Sequence, residues 1–134
     1  MDNPWLTIPH TDYEAHMLLV GQAQAIGALN KKALLDHRPE SFALIGCSTG
    51  NGLEHLDHEI TKRVYAIDIN PVFLDVLHKR FGDTIPGLQT LCLDLQSDEI
   101  DIEGIDMVFC ALVLEYVSPT VVLEKLSRIL SERG

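Results

Sequence analysis

The chain has 134 residues, of which 46% are apolar and 22% charged, with 9 glycines and 6 prolines. That composition suits one folded domain with a real core and excludes disordered and fibrous classes. Ten basic against 20 acidic side chains give a formal charge of −10, a balance that repels phosphate backbones and argues against nucleic acid as a partner.

Cys47, Cys92 and Cys110 sit inside apolar runs and share no metal-ligand spacing. They read as thiols of a reducing compartment rather than a disulfide framework or a zinc site. The first 30 residues combine no basic start with a continuous apolar stretch, and no later run is long enough to span a bilayer. A cytoplasmic domain without signal peptide or membrane segment is therefore expected.

Residues 1–12 hold two prolines and Trp5 without periodicity, and read as an irregular arm. From Tyr13 to Leu35, Leu18, Leu19, Ala23, Ile26, Leu29 and Ala33 recur at steps of three and four, which predicts one long helix. A turn follows at 37–40, because the residue before Pro39 is pushed out of the helical region. Phe42 to Ile45 is a continuous apolar run, the pattern of a strand covered on both faces. It runs into the loop Gly46-Cys47-Ser48-Thr49-Gly50-Asn51-Gly52, after which Leu53, Leu56 and Ile60 predict a short helix. Val64 to Ile67 is a second strand ending at Asp68; Asn70-Pro71 supplies a cap and a first-turn proline for a helix to Gly82. Leu88 to Leu93 is a third strand closed by Asp94, residues 106–110 a fourth, and Ser118-Pro119 opens a last helix striped by Val122, Leu126, Ile129 and Leu130. Strands alternating with helices predict an α/β domain with a parallel sheet and crossover helices. The acidic run Asp98, Glu99, Asp101 and Glu103 reads as a solvated loop.

In an open parallel sheet, ligands bind at the carboxyl ends of the strands. Three features fall on that edge. Glycines in 46–52 permit a sharp turn and close approach of a ligand to backbone amides. Asp68 follows the second strand, 18 residues beyond Gly50, where a carboxylate accepts both hydrogen bonds of a ribose diol. Asp94 holds the same place on the third strand, suited to the exocyclic amine of a purine. Together they point to a nucleoside pocket, and a dinucleotide and S-adenosylmethionine both meet these requirements.

The stretch from Leu44 to Gly52 resembles the first motif of the class I S-adenosylmethionine-dependent methyltransferases. Ala66-Ile67-Asp68-Ile69-Asn70-Pro71 is similar to the second, Leu93-Asp94-Leu95 to the third, and residues 106–117 to the fourth strand and its loop. The resemblance spans residues 42 to 134. It implies a Rossmann-like methyltransferase fold, a parallel sheet with helices on both faces, and S-adenosyl-L-methionine as cofactor. It further implies contacts from Gly46, Cys47, Ser48, Thr49, Gly50, Gly52, Asp68, Ile69, Asp94, Leu95, Ala111 and Leu112. Two positions depart from the pattern: Leu44 stands where an acid is usual, and Ser48 where the middle glycine is usual. The family sheet has seven strands and four are read here, so the expectation is a sheet cut after its fourth strand and helix. The units expected are an arm over 1–12, a helical segment over 13–38 packing on the domain, and an incomplete cofactor domain over 39–134. A partner or second copy is expected to cover the open sheet edge.

Methyl transfer from a sulfonium is an in-line displacement whose leaving group comes with the cofactor, so neither a nucleophile triad nor a metal set is required. The expected function is methyl transfer to a small-molecule acceptor, with no catalytic residue assigned. Tyr13, His16, Glu115 and Tyr116 are acceptor-side or lid candidates. His55 and His58 lie three apart but lack a third ligand, so no metal is expected. Cys47 lies near a helix start, a setting that lowers thiol pKa, and reads as a small loop residue. The alternatives are a non-catalytic cofactor-binding or regulatory module, a fragment inactive by itself, and a nicotinamide-dependent oxidoreductase. The last wants a tighter glycine turn than positions 46, 50 and 52 offer.

Overall fold

The computed structural model describes residues 4–19, 21–50, 52–110 and 117–132. A single 3-10 turn, Pro4–Leu6, precedes α1 (His10–Leu19) and α2 (Gln22–His37). Then come β1 (Ser41–Ile45), β2 (Arg63–Asp68), α3 (Pro71–Phe81), β3 (Leu88–Cys92), β4 (Met107–Cys110) and α4 (Pro119–Ile129). All strand pairs are parallel and the order is β3-β2-β1-β4. The chain thus winds outward from β1 on one side and returns to place β4 on the other. The switch point lies between β1 and β4, the crevice position of doubly wound sheets.

The register explains the continuous apolar reading of β1. Phe42 pairs with Val64 and Met107, and Ile45 with Ile67 and Cys110, so β1 is central and buried along its whole length. Alternate residues serve opposite cores. Phe42, Leu44, Val64 and Ala66 face Leu34 of α2 and Leu74 and Leu77 of α3. Ala43, Ile45, Tyr65 and Ile67 face Val122, Leu126 and Ile129 of α4. Each fully buried aliphatic or aromatic side chain contributes roughly 1.5–3 kcal/mol of transfer free energy. Helices therefore cover both faces, as a Rossmann-like fold requires.

Two helical expectations are corrected. The predicted helix over 13–35 is two helices that part at Gly21, whose φ of +74° cannot continue a right-handed helix. The helix expected over Leu53, Leu56 and Ile60 is only a 3-10 turn, Leu53–His55. Leu56 is already extended, and Asp57 starts a new turn: its Oδ1 accepts from the Glu59 amide and its carbonyl from Ile60 and Thr61. A short acidic side chain here competes with the helix for backbone donors. His55 ends the 3-10 turn and His58 lies beyond it, so the shared helical face read from their spacing does not form.

At the amino ends of the strands, Asp106 clamps the sheet. Its carboxylate accepts from the amides of Glu40 and Ser41 and from Ser131 Oγ. A recess of about 620 Å³ between His37–Glu40 and Asp106–Val108 lies at this end, opposite the glycine loop. None of the helices among the described residues is long and apolar enough to cross a membrane.

Candidate functional site

The glycine loop leaves β1 through two left-handed residues, Gly46 (φ +66°) and Ser48 (φ +50°). The amides of Gly46 and Cys47 both donate to the Ile67 carbonyl, at 2.8 and 3.1 Å, which ties the loop to the end of β2. Ser48 therefore occupies a backbone conformation that glycine adopts without the Cβ penalty. Farther along, Gly50 (φ +100°) and Gly52 (φ +97°) also require glycine for packing. A Cβ on Gly50 would lie 2.7 Å from the Phe81 ring, and one on Gly52 only 2.2 Å from Asn30 Nδ2. The loop is thus shaped from beneath by α2 and α3.

Asp68 closes the arrangement. Its Oδ2 accepts from the Ser48 amide at 2.8 Å, and its Oδ1 from the Asn70 amide at 2.9 Å. Burial raises its pKa, against the lowering effect of the Asn70, Ser48 and Ile69 amides. Each carboxylate oxygen keeps a further lone-pair site. Acceptor capacity for two hydroxyls remains at the carboxyl end of β2, in a partly desolvated place where such bonds are strong. The Leu93 amide donates to the Asp68 carbonyl and brings the end of β3 alongside. Asp94 is half-buried there, its Oδ1 accepting from the Gln96 amide. Leu95 is buried in the core beneath α4, while Ile69 is half-buried.

Thr49 is 2% exposed and, among the described residues, its Oγ1 has no hydrogen-bond partner; nor, among them, has either side-chain polar atom of Asn30, fully buried against Gly52. A buried hydroxyl left open in the loop and a carboxylate with spare acceptors fit a polar ligand. Cys47 behaves otherwise than its position near a turn suggests. Burial, reinforced by the Asp68 charge, raises its thiol pKa well above the usual value, so it is an inert packing residue. Leu44 is buried in the core with Phe42, Leu53 and Leu74.

Of the acceptor-side candidates, Tyr13 is half-buried, stacked edge-on against Trp5 at 5.9 Å and tilted against Phe73 at 5.4 Å. His16 is exposed, and the buried residue of α1 is Met17. Ala111, Leu112, Glu115 and Tyr116 lie outside the described residues. Sequence reading missed the second role of Asn70. Beyond capping α3, its Nδ2 donates to the Trp5 carbonyl at 2.6 Å, so the arm lies at the site. Asn-Pro signals the cap; the second bond joins residues far apart in sequence and leaves no local signal.

The sheet order, the switch-point loop and the acid ending β2 together describe a nucleoside-binding α/β domain. The chain belongs to the methyltransferase domain family, whose model matches residues 44–134, and its sheet and helices have the fold of class I S-adenosylmethionine-dependent methyltransferases. No curated protein matches it. Among solved structures, an S-adenosylmethionine-dependent methyltransferase from Leishmania major superposes with a TM-score of 0.73 at 14% identity, over 97% of this chain and 55% of its own. The N-methyltransferase NodS from Bradyrhizobium japonicum, in complex with S-adenosyl-L-homocysteine, gives 0.69 at 20% identity, over 82% and 57%. An S-adenosylmethionine-dependent methyltransferase from Mesorhizobium loti gives 0.62 at 21% identity, over 75% and 48%. The chain spans about half the length of these solved relatives.

Proposed function

We propose that this chain binds S-adenosyl-L-methionine and forms the cofactor half of a cytoplasmic methyltransferase acting on a small-molecule acceptor. The observation that carries the reading is Asp68, half-buried at the end of β2 and hydrogen-bonded to the glycine loop. In this reading Asp68 accepts the two ribose hydroxyls, Asp94 meets the adenine amine, and the backbone of Gly46–Gly52 lines the methionyl side. The bound cofactor supplies the methyl group and the sulfur leaving group. The chain's own residues orient the cofactor and exclude water, so no side-chain nucleophile is called for. The net charge of −10 favours a small or cationic acceptor over a nucleic acid.

A second reading, a cofactor-binding module without turnover, is favoured by two specific features. Leu44 puts a core side chain where an acid would attract the cationic cofactor, and Ser48 holds strained backbone in the loop. In either reading the β4 edge is covered by further strand structure.

Calorimetric titration with S-adenosyl-L-homocysteine and with NAD tests the shared core of both readings: the first binds and the second does not. Asp68→Ala removes two charge-assisted acceptors, each worth about 1.5–3 kcal/mol, so affinity drops by about 100-fold or more. An unchanged dissociation constant takes Asp68 out of the site. Methyl release across a metabolite panel then separates enzyme from binding module.

A further inference from the structure

Besides the bond its carbonyl accepts from Leu74, Asn70 makes four hydrogen bonds while only 2% exposed. Its Oδ1 accepts from the amides of Val72 and Phe73, its amide donates to Asp68 Oδ1, and its Nδ2 donates to the Trp5 carbonyl. Serine, threonine or aspartate would cap α3 as well. Asparagine alone among the good caps adds an amide donor on the same short side chain, and here that donor is spent on the arm. Through this residue the arm connects to Asp68, and through Asp68 to the Ser48 amide and the glycine loop.

The arm and α1, which follows it, are held along α3 at two further points. Tyr13 bridges Trp5 and Phe73, and Glu14 forms a two-pronged ion pair with Arg80, at 2.8 and 2.9 Å. Arg80 holds the Glu14 carboxyl below its usual pKa, against a smaller opposing effect of burial. Phe73 is itself one of the two α3 residues whose amides Asn70 caps. Arm, cap and carboxylate therefore form one connected unit.

We propose that Asn70 is a positioning residue that couples docking of the N-terminal arm to the cofactor-binding carboxylate Asp68, so that the arm and the cofactor reinforce each other's binding. The inference rests on the proposed binding of the cofactor at Asp68. A docked arm anchors Asn70 through its side-chain Nδ2, and the backbone N–H of the same residue donates to Asp68. A ligand that needs Asp68 so oriented spends less free energy on ordering it. By linkage, that ligand must tighten the arm by the same factor.

Trp5 is the chain's single tryptophan, so its emission reports on the arm alone. In the full chain, titration with S-adenosyl-L-homocysteine should shift Trp5 emission to the blue in step with the calorimetric heat. Asn70→Ser keeps a capping oxygen for α3 but cannot reach the Trp5 carbonyl. Its emission should start red-shifted, and its dissociation constant should rise about 5- to 10-fold with the far-ultraviolet circular dichroism unchanged. Glu14→Ala frees α1 from Arg80, which loosens the arm that precedes it, and should weaken binding about 3-fold. This variant decides the matter if Asn70→Ser fails to fold. Variants with a loosened arm by Trp5 emission and wild-type affinity overturn the coupling while leaving cofactor binding intact. Absence of heat in the wild-type titration overturns the proposed function and the coupling together.

Discussion

Substituting Gly52 by alanine tests how the glycine loop is built. At φ +97° an alanine bears a left-handed penalty of about 1–2 kcal/mol. Its Cβ would also lie 2.2 Å from Asn30 Nδ2, 2.9 Å from Asn30 Cβ and 3.0 Å from Asn30 Cγ. Asn30 is fully buried on α2 and has nowhere to retreat, so overpacking adds about 1–3 kcal/mol. The expected loss is about 2–5 kcal/mol, a large share of the usual 5–15 kcal/mol. In urea, with a slope near 2 kcal/mol per molar, the midpoint should fall by about 1–2.5 M. The Asn30→Ala background isolates the clash. Alone it removes two unpaired buried polar atoms while opening a small cavity, and these effects oppose each other. Combined with Gly52→Ala it should recover the clash component and leave only the backbone penalty. A Gly52→Ala midpoint within experimental error of wild type, or strict additivity of the two substitutions, would refute the reasoning.

Ser48→Gly should raise stability by about 0.5–1 kcal/mol, because relief of the left-handed strain exceeds the added freedom of the unfolded chain; urea unfolding measures it. Binding of S-adenosyl-L-homocysteine should weaken as pH falls through the raised folded-state pKa of Asp68, at higher pH than an ordinary aspartate would titrate, and calorimetry across acid pH reads this directly. Stability carries the opposite sign. A carboxyl whose pKa rises on folding contributes most below its unfolded pKa, and that contribution is lost as pH rises through the folded value. The wild-type protein should therefore gain on Asp68→Asn toward acid pH in paired urea titrations. Toward a thiol reagent, exposed Cys92 should react first and buried Cys47 last, with peptide mapping after timed quenching to assign each site.

β1 and β2 were legible because burial leaves continuous apolar runs, as at Phe42–Ile45, and because β1, β2 and β3 run into loop chemistry at Gly46, Asp68 and Asp94. Asn70-Pro71 marked α3 correctly for a similar reason: both the cap and the first-turn proline are local devices. The misreadings lie where a local device competes with a longer pattern. Apolar spacing continues across Gly21, whose left-handed turn costs too little to interrupt it, and Asp57 redirects donors that Leu53, Leu56 and Ile60 seemed to reserve for a helix. In the site, the position of Asp68 was legible, since its chemistry follows from ending a strand after a glycine loop. The packing of Gly52 on Asn30, and the bond from Asn70 to Trp5, join residues that only the tertiary fold brings together.

The position of β1 also sets an order of assembly. The Thr61 hydroxyl reaches the Pro39 carbonyl over a separation of 22 residues, and the Ser48 amide reaches Asp68 over 20. The loops that bring β2 beside β1 are therefore short and cheap to close. The contact of Asp106 with Ser41 at the base of β4 spans 65 residues. The nascent chain can thus assemble β1, β2 and the glycine loop while β1 still presents one bare edge. Of the strands β4 closes the longest separation, and Asp106 just before it bonds to the start of the first strand. During that interval the open side of β1 is the surface a chaperone would need to shield.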